Sequence, residues 1–520
     1  MSNTGADLLL SIDVGTQSLR AMLFDREGNL QGKAQQHYPP YTQPQPGYCV
    51  HDADLYWRSV QQACAALWQQ GFLPAQVAAI SVTAQRGSLV PLDGDGKPLM
   101  PAWLWMDQRL AERLPRMNML WRLAFALRGV TQAVQGFRRK AISNWLHSHD
   151  PVLHDKVHKW LFLSGYLNFK LTGTYADSRA AQVGYVPFDY ATQRWANRLS
   201  WKWSALSMRR EQMPRLVNSG EVLGELSESS ATLLGLPVGL PVVASGADKA
   251  CEVLGSGGIT PDVACLSFGT SASVNVCHPQ YREAIRHMPA YPAILSPQFC
   301  YEVMLNRGFW MVSWFKEQFG LAETLRADDA DMPVEALFDE LVDKVPPGAM
   351  GLMLQPYWGA GIREPGPEAK GAIIGFGDIH KREHLYRAIL EGINFGLKEG
   401  LDKIQHRCKV KPTLLRISGG GSQSDAAMQI AADIFGLPAE RPHTNETSGL
   451  GSAIASAAAL GWYADMQQAA IAMTRVGKRF EPNMLNHRQY QRLYREVYVQ
   501  MYPKLQPLYQ KIREITGYPE

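Results

Sequence analysis

Two short turns constrain this chain more than any other feature. Asp13-Val14-Gly15-Thr16-Gln17-Ser18 follows the apolar run Leu8 to Ile12, and Gly269-Thr270-Ser271 follows Val263 to Phe268. Each reads as a strand delivering a Gly-Thr turn. Glycine lets a ligand approach the backbone with no Cβ in the way, and turn amides and hydroxyls supply donors that suit phosphate oxygens. Either turn alone is an ordinary tight turn, because glycine is common in turns for steric reasons. Two of them in matching strand contexts point to a duplicated phosphate clamp.

The residues just after the first turn separate it from the commoner nucleotide signatures. A dinucleotide fingerprint or a P-loop opens a helix. Here the next stretch, Leu19 to Asp25, is short and apolar and stops at Arg26-Glu27-Gly28-Asn29, so the pattern predicts a β-hairpin. No G-x-x-x-x-G-K-[ST] motif occurs in the chain.

With 520 residues, 46% of them hydrophobic, the chain is too long for one ordinary core and should divide into two large domains or three. The net charge of +4, from 52 basic and 48 acidic residues, is too small and dispersed to imply nucleic acid. Seven scattered cysteines without a C-x-x-C pair indicate neither a disulfide framework nor a zinc site, and a reducing cytoplasm fits best. Met1 to Asp7 has no basic region, and no uncharged apolar stretch reaches membrane-spanning length, so neither secretion nor integral membrane association is expected. Arg113 to His149 departs from the rest: it has no acidic residue, and arginines alternate with large apolar side chains. The pattern predicts one or two basic amphipathic helices, either a solvated face over a core or a membrane or partner surface.

Strand-like runs (Leu8 to Ile12, Ala78 to Thr83, Val242 to Ala244) alternate with helical patterns such as Leu55 to Gln69, which means α/β. The passage Gly255 to Pro261 marks a boundary, giving expected domains of 1–256 and 257–520. The second half repeats the plan, with strands at Ala264 to Phe268 and Leu414 to Ser418 and helices at Arg382 to Gly400, Ser424 to Phe435 and Ser448 to Leu460. Gly419-Gly420-Gly421-Ser422 lies between a strand and a helix start, where a flat glycine backbone could carry a base or ribose. Asp248 ends the run Val242 to Ala247. It is either a helix N-cap or a carboxylate placed to take a proton from an attacking hydroxyl. Asp13 is either a turn cap or a carboxylate that holds Mg²⁺ through water.

The ordered set of motifs resembles the FGGY carbohydrate kinases, within the actin-like ATPase superfamily. The matching pieces are Asp13 to Ser18 with Arg20; Pro46-Gly47-Tyr48 with His51-Asp52 and Trp57; Leu171-Thr172-Gly173 with Asp177-Ser178; Ser245 to Asp248; Leu266 to Ser271; Arg387 to Gly392; and Gly419 to Ser422. The resemblance implies two actin-like (ribonuclease H-like) α/β domains with an ATP cleft between them, hinged to close. It implies ATP contacts from Gly15, Thr16, Gln17, Ser18, Arg20, Gly269, Thr270, Ser271, Gly308, Gly420, Gly421 and Ser422, with Mg²⁺ held by Asp13. Asp248 is the implied general base. Gln85, Arg86, Trp105, Asp107 and Asp248 are the implied contacts to a small sugar or polyol. Trp105-Met106-Asp107 is similar to the xylulokinase Trp-Asn-Asp, whereas Gln85-Arg86 is similar to the start of the Gln-Arg-Glu of glycerol kinases. The expected activity is therefore ATP-dependent phosphorylation of a ketose or polyol hydroxyl, xylulokinase-like first. A kinase for glycerol or another polyol, or an actin-like ATPase without sugar chemistry, is the alternative. The oligomeric state is not legible, a homodimer being left open.

Overall fold

The computed structural model describes residues 5–330, 334–359, 361 and 365–518. The chain forms two compact units. The first comprises 1–255, 291–299 and 448–474, and the second 256–290, 300–447 and 475–520. The break at Gly255 falls where the Gly-Pro passage begins, but two later segments return to the first unit, an excursion that a linear division into halves does not contain.

The first unit is built on a six-stranded sheet. Its strands are β1 (Leu8–Val14), β2 (Ser18–Phe24), β3 (Leu30–His37), β4 (Val77–Ala84), β5 (Val222–Glu225) and β6 (Pro241–Val243), in the spatial order β5-β6-β4-β1-β2-β3. β1, β2 and β3 form the expected antiparallel meander, while β4 lies parallel to both β1 and β6. Every residue of β1 is buried, as its nearly continuous apolar run demands of a central strand. Its helices include α1 (Ala53–Gln69), which Asp52 caps through a bond from the Asp54 amide, and α2 (Met119–Leu127), α3 (Thr131–Lys140), α4 (Ile142–His149) and α5 (Asp248–Gly255). The basic segment is thus three short helices rather than one or two. A small sheet of Val50–His51, Ala102–Trp103, Leu89–Leu92 and Lys159–Phe162 flanks the main one.

The second unit repeats the plan with β7 (Val263–Phe268), β8 (Ala272–His278), β9 (Phe299–Leu305), β10 (Leu414–Ser418), β11 (Ala439–Pro442) and β12 (Val476–Phe480). These strands run in the order β9-β8-β7-β10-β11-β12. β7 pairs antiparallel with β8 and parallel with β10, just as β1 does with β2 and β4. Behind this sheet lie α6 (Arg382–Cys408) and α7 (Asp425–Phe435), the latter capped by Ser424, whose hydroxyl accepts from the Ala427 amide. Arg387 and Glu391, both buried, bond each other at 2.7 Å and share the Tyr490 hydroxyl, so this matched motif braces the core of its own unit.

A later helix, α8 (Thr447–Ala459), comes back to the first unit. Ser452 exchanges hydrogen bonds with Ser81 of β4, and Gly451 approaches α5 so closely that a Cβ there would lie 1.9 Å from the Cys251 carbonyl oxygen. Glycine is required at that crossing.

Candidate active site

In the first unit, three parallel strands end side by side, and each delivers a residue singled out in the sequence. β1 ends at Asp13 and the Gly15 turn, β4 runs on into Gln85 and Arg86, and the segment after β6 leads to Asp248 at the start of α5. A backbone bond from Gln85 N to Val14 O and a bridge between Ala84 and Ala247 lock these strand ends together. Ligands of open α/β sheets gather at the carboxyl ends of such strands.

The turn is a three-residue hairpin tip closed by the Gly15 amide donating to Ser18 O at 3.0 Å. Thr16 donates to Gln85 Oε1 at 3.0 Å and accepts from Trp105 Nε1 at 3.1 Å. Gln85 Nε2 lies 3.5 Å from the Tyr56 hydroxyl, which contacts His51 Nδ1 at 3.0 Å. Gln17 is exposed at the tip, and its carbonyl accepts from Tyr38 N. Ser18 faces inward and accepts from Gln35 Nε2, so its hydroxyl serves the hairpin. Arg20 stands opposite Asp13 in the strand register, with 3.6 Å between their charged groups.

Asp248 is the first helical residue of α5 rather than its cap, and accepts from the Lys249 amide at 2.8 Å. Its side chain is nevertheless 30% exposed, and Arg86 Nε lies 3.9 Å away. Burial raises the Asp248 pKa above the ordinary carboxylate range, while Arg86, the Lys249 charge and the Lys249 amide oppose that shift. A carboxylate poised this way is a better proton acceptor than a free surface aspartate. The loop before it is tied down by three hydroxyls: Ser178 and Ser219 donate to Ser245 O at 2.7 and 2.6 Å, and Thr83 donates to Gly246 O at 3.0 Å. Arg86 is stacked over Tyr291, its guanidinium 5.2 Å from the ring centroid.

Two sugar-side expectations separate. Trp105 is half exposed and bonded to the turn, whereas the Asp107 side chain is fully buried against Arg109. The Asp107 carboxylate is completely buried, with Arg109 on both oxygens and the Cys49 amide on one. Arg109 is clamped between Tyr48 and Trp103, 3.8 and 3.4 Å from their ring centroids. Asp107 therefore fixes the Trp105 segment through Arg109: the bidentate guanidinium and the Cys49 and Arg109 amides together occupy both of its oxygens.

The second unit gathers its own set. Gly269 and Thr270 form the hairpin tip between β7 and β8, with Thr270 exposed and Ser271 half-buried. Gly308 N donates to Thr270 O at 2.8 Å and Phe309 N to Gly269 O at 2.9 Å, so backbone grips backbone. A Cβ on Gly308 would lie 2.4 Å from Ala272 N. Gly419, at φ +87°, brings the glycine run against the end of β7, where a Cβ would meet Phe268 O at 2.9 Å. Of that run only Gly420 faces open space. Gly421 is packed on the Phe309 ring, itself stacked on Phe268, and Ser422 is buried with its hydroxyl donating to Gly419 O. The expected flat shelf is thus one exposed glycine over an aromatic floor, because the other two positions are consumed by packing.

Sequence reasoning missed Tyr56, Tyr291 and Phe309. Each comes from an element remote in sequence from the group it supports, and a single aromatic carries no local signal.

Comparison with known proteins agrees with this geometry. The N-terminal domain of the FGGY family of carbohydrate kinases matches residues 8–255, and the C-terminal domain matches residues 264–460. The chain is 29% identical over 491 residues to the uncharacterized sugar kinase YgcE of Escherichia coli K12, spanning 93% of this chain and 90% of that one. It is likewise 29% identical to a xylulose kinase of Lactococcus lactis, over 93% and 94% of the two chains. The crystal structure of gluconate kinase from Lactobacillus acidophilus shares the fold, with a TM-score of 0.79, 22% identity and 98% coverage of each chain. With both domains matched in order, this chain belongs to the FGGY family of carbohydrate kinases.

Proposed function

We propose that this kinase phosphorylates a hydroxyl of a ketose or polyol in the manner of a xylulokinase, with Asp248 as the general base. As an FGGY kinase it is a phosphotransferase with an alcohol acceptor, and it uses ATP with Mg²⁺. The observation that carries the proposal is the placement of Asp248 and Arg86 at neighbouring strand ends, 3.9 Å apart, beside the Thr16–Gln85–Trp105 chain of hydrogen bonds.

The donor set suits Mg²⁺ that arrives on a nucleotide. Among the described residues there is no cluster of three metal-ligating side chains. Asp13 stands at a phosphate-type turn, and Mg²⁺ is commonly held by one or two carboxylates together with phosphate oxygens and water. When bound, the ion neutralises charge on the transferring phosphoryl group. Asp13 would hold it, and the amides and hydroxyls of Gly15 to Thr16 and Gly269 to Thr270 would receive phosphate oxygens, with Arg20 nearby. Gly420 would carry the nucleoside, Gly421 and Ser422 shaping its floor. Gln85, Arg86 and Trp105 would orient the acceptor, and Asp248 would accept the proton of its attacking hydroxyl.

Replacing Asp248 by Asn should lower kcat by about two orders of magnitude or more while ATP binding stays near normal. The measurement is sugar-dependent ADP release across a panel of ketoses and polyols. Near-normal turnover in the variant would reject Asp248 as the base, and ADP release indifferent to every acceptor would reject sugar chemistry.

A further inference from the structure

The end of the basic segment is used by the fold, since Ile142 and Leu146 of α4 are buried and Trp145 packs on the Arg109 cage, but its first helix is built inside out for a solvated surface. Met119, Leu120, Leu123 and Leu127 of α2 are 78%, 73%, 59% and 81% exposed. At about 100° per residue these four fall within one arc of about 100°. The opposite side of the helix is the one that packs: Phe125 is buried, stacked on Trp121 and edge-on to Trp201. Arg122 is exposed about 60° beyond one edge of the apolar arc, Arg128 is exposed at the helix C-cap about 80° beyond the other, and Arg116 is exposed just before the helix. Among the described residues none of these three arginines has a carboxylate partner. No acidic residue occurs between Arg113 and His149.

We propose that α2 seats this protein reversibly on an anionic lipid surface, its apolar arc entering the headgroup boundary and its arginines meeting lipid phosphates. The charge pattern selects this occupant. A second copy would bring the same unneutralised arginines face to face, which opposes self-association. Specific protein contacts generally centre on a buried aromatic anchor, and the exposed arc contains none, only Met and Leu. Flexible apolar side chains flanked by arginine on a convex helix suit a fluid, negatively charged surface. A helix of nine residues can give only weak attachment, so the effect is peripheral and salt-sensitive. No helix among the described residues is long and apolar enough to cross a membrane, so the protein would lie on the surface through this face.

The test is co-sedimentation of the full-length protein with phosphatidylcholine vesicles, with and without phosphatidylglycerol, at low and high salt. Binding to the anionic vesicles alone, reversed by salt, is expected. The double variant Leu120→Glu/Leu123→Glu should weaken it at least about tenfold, and Arg122→Glu/Arg128→Glu should abolish the preference for anionic lipid. Both pairs are exposed, so thermal melting should be unchanged. Absence of binding at low salt, equal binding to neutral vesicles, or wild-type binding by the Glu double variant would overturn the proposal. Retention on immobilised poly-glutamate without any vesicle binding would overturn it in favour of an acidic polypeptide.

Discussion

The two hairpin tips share a scaffold and differ in what holds them. In both, a Cβ on the leading glycine would come within 3.2 Å of a carbonyl oxygen in the same turn, Ser18 O for Gly15 and Ser271 O for Gly269. The first tip is then fixed by side chains: Thr16 sits between Gln85 and Trp105, and Arg20 faces Asp13. The second is fixed by backbone, through the amides of Gly308 and Phe309, and by glycines pressed onto main chain and an aromatic ring. Side-chain mounting brings titratable and hydrogen-bonding groups to the turn, as proton transfer requires. Backbone mounting gives shape and fixed donors with few charges. The same hairpin plan is thus held by side chains in one unit and by main chain in the other.

This contrast is open to direct attack. The largest effect should come from Gly308→Ala, whose methyl would lie 2.4 Å from Ala272 N, a main-chain atom that cannot swing away. A stability loss of about 2–4 kcal/mol is expected, read by denaturant unfolding. A loss under about 0.5 kcal/mol would show that the second tip is not held by close backbone contact. Thr16→Val keeps the shape of the first tip and removes both of its side-chain bonds. It should cost about 1 kcal/mol and lower kcat more than it raises the KM for ATP, because it leaves the Trp105 and Gln85 groups without their shared partner.

Arg86→Met addresses the electrostatics of the first site. Arg86 is the largest influence opposing the burial-driven rise of the Asp248 pKa, so its removal should raise that pKa further. A base works only when deprotonated, and activity falls as pH drops through its pKa. The acidic limb of the kcat/KM profile should therefore begin above the ordinary carboxylate range in the wild type and move to higher pH in the variant. A limb that stays in place would separate Arg86 from Asp248. The smallest effect should be Gly420→Ala: no atom lies within 4 Å of the new methyl, so stability should change by less than about 0.5 kcal/mol. A raised KM for ATP with unaltered melting would mark Gly420 as a ligand-facing position.

Much of the sheet framework was legible because it follows from short-range pattern. The run Leu8 to Val14 is buried throughout, the turn at Arg26 to Asn29 is a turn, and the strands at Val263 and Leu414 begin and end where their apolar runs do. Site residues on strand ends were legible for the same reason, since a glycine or carboxylate that closes an apolar run sits at the rim of a sheet. Asp107 was not. Its sequence neighbours show a carboxylate beside an exposed tryptophan, and only folding reveals that Arg109, caged by Tyr48 and Trp103, claims it. The packing at Gly421 was not legible either, because the Phe309 ring that fills the space beside it comes from a distant loop. The basic segment was recognised as amphipathic, but its polarity was not: sequence periodicity gives the two faces of a helix without saying which one the protein keeps.

The return of α8 has a consequence for how the polypeptide is made. β1, β4 and α5 leave the ribosome before α8, and Ser81 and the face of α5 beside Cys251 receive their partners from Ser452 and Gly451. At 5–20 residues per second the wait is on the order of ten to forty seconds for the face of α5 and about twenty to seventy-five seconds for Ser81. Throughout it the nascent amino-terminal sheet is unfinished on one flank, with apolar surface awaiting a helix that does not yet exist. A chaperone binding during translation would find its target there, and the first unit could reach its native form only once α8 has been made.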